Sequence, residues 1–82
     1  MNHEILMLKA RLADNRNSLA SMKLKMGSYI SMIRNILDPY EPDFTELDIA
    51  RASVLMQDLT RLHTDANRLK AQIRQMEKDL DG

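Results

Sequence analysis

The sequence predicts an all-α fold, a two-helix antiparallel coiled-coil hairpin that dimerises into a four-helix bundle, on three observations. Both prolines, Pro39 and Pro42, fall in one short stretch at the middle of the chain. Each flanking half carries an unbroken apolar repeat of alternating threes and fours. The composition, with two glycines, no tryptophan, one phenylalanine and seven methionines among many Leu, Ala, Lys and Arg, is that of long helices. At 82 residues the chain makes a single domain, residues 1–82, and without cysteine its stability rests on packing alone.

The first helix is expected over about 3–37. Asn2 and Glu4 suit a helix start, and the residue before Pro39 avoids helical dihedrals, so the helix stops near Leu37. Its seam is Ile5, Leu8, Leu12, Asn15, Leu19, Met22, Met26, Tyr29, Ile33 and Ile36, in which Asn15 is polar. Gly27, followed by Ser28, costs the helix about 1 kcal/mol relative to alanine and marks a bend or a close contact.

The turn is expected over 38–43 and the second helix over about 44–80. Asp43 with Glu46, or Thr45 with Asp48, has the spacing of an N-cap and its reciprocal acid, which places the helix start near 44–46. The second seam is Ala52, Leu55, Leu59, Leu62, Ala66, Leu69, Ile73, Met76 and Leu80. An antiparallel pairing of the two seams sets Ile5 opposite Met76, Leu12 opposite Leu69, Asn15 opposite Ala66 and Tyr29 opposite Ala52. That register folds the chain back between Tyr40 and Glu41.

Two further apolar surfaces exceed what a two-helix hairpin covers. On the first helix Leu6, Ala10, Ala13, Asn17, Ala20, Leu24, Gly27 and Ser31 form a stripe of mostly small residues about 150° from the seam, close enough in size to admit another helix. Nearer the turn, Ile30, Met32, Leu37, Phe44, Leu47, Ile49 and Met56 widen the seam itself. A homodimer, or docking onto a different protein, covers this excess. The expected interface residues are Leu6, Ala13, Ala20, Leu24, Gly27, Ile30, Met32, Phe44, Ile49 and Met56.

Charge and chemistry narrow the function classes. Twelve basic and twelve acidic residues cancel, which removes the overall positive field of a non-specific nucleic-acid binder. Their distribution is uneven: residues 38–50 carry five acids and no base. Lys25 and Asp58 flank the seam on the same side and can pair. His3 and His63 lie far apart with no ligand-spaced partners, no glycine-rich phosphate loop is present, and the serines lack a neighbouring base. The expectation is a non-enzyme with no metal and no cofactor. No apolar run reaches the roughly 18 residues of a membrane span and no signal-peptide core is visible, so a cytoplasmic protein without membrane attachment is expected. The rival reading is a nucleic-acid-binding hairpin, with Lys9, Arg11, Arg16, Lys23 and Lys25, or Arg61, Arg68, Lys70, Arg74 and Lys78, following a phosphate backbone.

The Leu37-Asp38-Pro39-Tyr40 turn and the closing Ile73-Arg74-Gln75-Met76-Glu77 heptad, in a short cysteine-free hairpin, resemble the small helical accessory proteins of phages and Mu-like prophages. The likeness spans the chain as architecture and carries no functional residue across. It implies a protein that binds and modulates a host or phage protein. The sequence therefore points to a protein-interaction module, an adaptor, inhibitor or chaperone-like accessory protein, whose partners are a second copy of itself and another protein.

Overall fold

A computed structural model describes residues 2–81 of the chain. Helix α1 (Asn2–Ile36) and helix α2 (Ile49–Asp81) lie antiparallel, joined by residues 37–48 with a short 3-10 turn at Phe44–Glu46. No strand occurs among the described residues. The hairpin measures 65 × 16 × 14 Å, the shape of two helices side by side. α1 runs through Gly27 without interruption, so Gly27 divides nothing.

Three aspartates build the connection, Asp38 by closing a local turn, Asp43 and Asp48 by accepting from N–H groups that helix starts leave open. The last helical bond of α1 runs from Leu37 N–H to the Ile33 carbonyl at 2.8 Å. Asp38 Oδ1 then accepts from Tyr40 N–H at 2.9 Å, the local turn open to an aspartate that precedes proline. Asp43 Oδ1 accepts from the Thr45 hydroxyl at 2.7 Å and from Thr45 N–H at 3.0 Å. That hydroxyl, and after it the backbone N–H, holds the Asp43 carboxyl below its usual range. Leu47 is extended, with φ −69° and ψ 139°, which ends the 3-10 turn. Asp48 opens α2 as its N-cap, its Oδ1 accepting from Arg51 N–H at 3.1 Å.

Two expectations are corrected by this arrangement. Asp43 caps the 3-10 turn rather than the long helix, so α2 starts at Ile49 instead of 44–46 and the connection covers 37–48 instead of 38–43. The register moves with it. Asn15 sits beside Met76, its Nδ2 donating to Sδ at 3.3 Å, and Arg16 pairs with Glu77 at 3.1 Å. Ala66, the expected neighbour of Asn15, is ten residues and hence about 15 Å away along α2. Tyr29 likewise meets Leu62 and Asp58 in place of Ala52. A seam of alternating threes and fours forms the same kind of contacts again when it slides along its partner by such steps, so the longer connection decides which register is taken.

The core is thin. Leu12, Ala52, Ala66 and Ile73, all seam positions, are buried, while most other seam residues are half-buried and no large side chain among the described residues is completely covered. With the pairing displaced, Ile5 lies at the end of α2 and remains 47% exposed. Two helices enclose one narrow stripe, and a chain of this size gains little stability from so small a core.

Candidate functional site

Which side chains flank the seam follows from the heptad. One flank carries Lys9, Arg16, Lys23, Ile30 and Leu37 on α1, and Ile49, Met56, His63, Lys70 and Glu77 on α2. The distal half of this flank is polar and closed by the Arg16–Glu77 ion pair, which links the two helices. Toward the turn it is apolar and open. There Met26, Ile30, Met56, Leu59, Thr60 and His63 line a recess of 310 Å³, and Ile33, Leu37, Ile49, Ala52, Ser53 and Met56 line a second of 340 Å³. The two share Met56 and form one groove over the turn-proximal half of the hairpin. Met56 is 53% exposed and Ile30 44%, although both belong to a surface otherwise built like a core.

The opposite flank differs in kind. Lys25, Tyr29, Asp58, Arg61, Leu62 and Asp65 line a polar recess, in which Arg61 bonds Asp58 at 3.5 Å on its own helix. Asp58 therefore pairs with Arg61 on its own helix, not with Lys25 across the seam. Arg68 and Asp65 pair in the same way at 3.6 Å. Arg16, Arg61 and Arg68 are thus engaged with carboxylates, which dilutes both of the basic rows considered for nucleic acid. No three His, Asp or Glu side chains come together at metal-binding distance among the described residues, and no helix there is long and apolar enough to cross a membrane.

The expected interface residues separate into four places. Ile30, Ile49 and Met56 converge on the groove with Leu37. Met32 lies one heptad beyond Lys25, on the other flank, and Phe44 projects from the 3-10 turn, 62% exposed. Leu6, Ala13, Ala20, Leu24 and Gly27 are all exposed on the outer face of α1, apart from the groove. His63 and Thr60 also line the groove, although neither is among the interface residues expected from the sequence. For His63 the signal was present, since it continues the heptad of Ile49 and Met56. Its ring lies 3.3 Å from Asn67 Nδ2, one helical turn on.

Gly27 has open space around it: a methyl group added there meets no atom within 4 Å, and the backbone is helical. Gly27→Ala is expected to stabilise the chain by about 0.5–1 kcal/mol, because alanine loses less backbone entropy on forming helix. Thermal unfolding followed by circular dichroism reads this directly. A loss of stability would mean that something outside the hairpin packs against this glycine.

Compared with known proteins, the chain matches no family model, no curated protein and no solved structure.

Proposed function

We propose that this chain is a non-enzymatic protein-interaction module, an adaptor, inhibitor or chaperone-like accessory protein, whose principal working surface is the turn-proximal groove. One observation carries the reading: Ile30, Leu37, Ile49 and Met56 leave large apolar side chains exposed around a continuous groove at the end where the core would otherwise be widest. Contiguous apolar surface rimmed by polar residues is what protein interfaces bury. Exposed methionine suits such a surface, since its unbranched side chain repacks against different shapes. The resemblance to phage accessory proteins suggests the same class of role.

The test compares the proteins captured from source cells by the wild-type chain and by Ile30→Glu and Met56→Glu variants as bait. A carboxylate buried in an interface must be desolvated, so each variant is expected to lose at least about tenfold of the specific capture while keeping its helicity. Capture indifferent to both substitutions overturns the reading. Tight nucleic-acid binding in a mobility-shift titration, falling steeply with salt, would instead favour the basic rows.

A further inference from the structure

We propose that the occupant of the groove is a second copy of this chain, docked about a two-fold axis so that each acidic turn lies over the other copy's Lys23 and Lys70. The inference rests on the groove being the working surface, and names what covers it.

Self-complementarity of charge along the groove supports this occupant. At the turn end, the groove residues Leu37 and Ile49 are followed directly in sequence by Asp38 and preceded by Asp48, with Glu41, Asp43 and Glu46 between them and no base in the segment. At the other end, on the same flank, Lys23 stands one heptad from Ile30 and about 5 Å along α1 from Met26, and Lys70 stands one heptad, about 10 Å, beyond His63. The apolar stretch is thus bounded by acids at one end and by lysines at the other. A two-fold axis through its middle, near Met56, reverses one copy relative to the other and brings unlike charges together at both ends. A parallel arrangement sets acids on acids and lysines on lysines. In an isologous contact every favourable pair occurs twice, so the gain is doubled.

Area agrees with the same occupant. The groove side of the turn-proximal half is roughly an eighth of the 6550 Å² surface, or about 800 Å², which is about what each partner contributes to a standard stable interface. The overlap makes a four-helix segment in which Ile30, Leu37, Ile49 and Met56 of both copies form the shared core. The distal halves, held by Arg16 and Glu77, extend from it in opposite directions.

Charge exchange in the full-length chain tests both the occupant and its orientation. One variant carries Lys23→Glu with Lys70→Glu; the other carries Glu41→Lys with Glu46→Lys, which keeps Asp38, Asp43 and Asp48 and gives up only the long 3.4 Å bond from Asp43 N–H to Glu41 Oε1. Sedimentation equilibrium of the wild type is expected to give a dimer. The lysine variant sets acids on acids at both ends and is expected to dimerise at least about tenfold more weakly; the glutamate variant leaves three aspartates against two lysines in the turn, which removes most of the attraction for Lys23 and Lys70 and is expected to weaken the dimer less. An equimolar mixture returns one end to the full attraction of a five-acid turn for Lys23 and Lys70 and leaves only a weak repulsion at the other, so the heterodimer is expected to be tighter than either variant's own dimer, with circular dichroism confirming full helicity throughout. A helical wild-type chain that stays monomeric at about 100 µM overturns the second copy as occupant. The bait comparison with Ile30→Glu and Met56→Glu then still reads the groove separately. A dimer unaffected by either variant, or a mixture no tighter than its components, overturns the proposed arrangement.

Discussion

Replacing Ile73 with alanine is expected to cost about 2–4 kcal/mol and to lower the melting temperature by more than about 10 °C. Ile73 is 6% exposed, and truncating a buried isoleucine loses both its transfer free energy and the contacts around the space it leaves. A hairpin with four buried residues cannot spread that loss over a larger core, so the effect is a large fraction of its total stability. Ile30→Ala is the matched control, because the same deletion on the groove flank removes a side chain already 44% exposed. At concentrations where the chain is a monomer, its cost is expected to stay under about 1 kcal/mol. Equal losses at the two positions in thermal or urea unfolding would show that the stabilising core is not the seam around Ile73.

The second large effect has the opposite sign. Asn15 is the polar member of the α1 seam, half-buried, and its amide donates to the Met76 sulfur, a weak acceptor. Asn15→Leu exchanges that bond for apolar contact with Met76, whose flexible thioether can move to receive it. A gain of about 1–2 kcal/mol is expected, seen as a melting temperature higher by about 5–10 °C. The same change weakens register selection, because a seam made wholly of apolar residues tolerates a slip of one heptad. Lys23→Cys with Lys70→Cys, one heptad along the same flank from Arg16 and Glu77 and so leaving that ion pair in place, reports on this with a short bifunctional thiol reagent: cross-linking within the chain is expected to be higher with Asn15 than with Leu at position 15. A melting temperature that falls would mean that Asn15 makes a contribution larger than its bond to Met76.

The function reading was legible in part for the same periodic reason. Ile30, Ile49 and Met56 stand out in the sequence because they sit one step off the seam, where the distal half of the chain places Lys9, Arg16, Lys23 and Lys70. Periodicity assigns a residue to a flank, but it does not say which flank of one helix meets which flank of the other. Met32 and Ile30 both widen the seam on paper, and folding sends them to opposite sides. His63 escaped notice because a histidine alone suggests a ligand or a solvated ring, whereas its place after Ile49 and Met56 makes it part of a groove wall.

The sequence by itself determined that this chain is two long helices folded back on each other, because proline geometry and three-four periodicity are local properties that no tertiary contact had to supply. It also determined the seam: Leu12, Ala52, Ala66 and Ile73 are buried where the heptads place them. Only the tertiary structure decided the register and the length of the connection. Asp43 and Asp48 compete to cap the same stretch, and the choice depends on how the intervening residues are bonded, with Asp43 closing the 3-10 turn and Asp48 opening α2. Since a seven-residue repeat looks alike to itself after each heptad, several slides of the helices satisfy the seam about equally well. The connection, with specific contacts such as Asn15 to Met76 and Arg16 to Glu77, breaks that degeneracy.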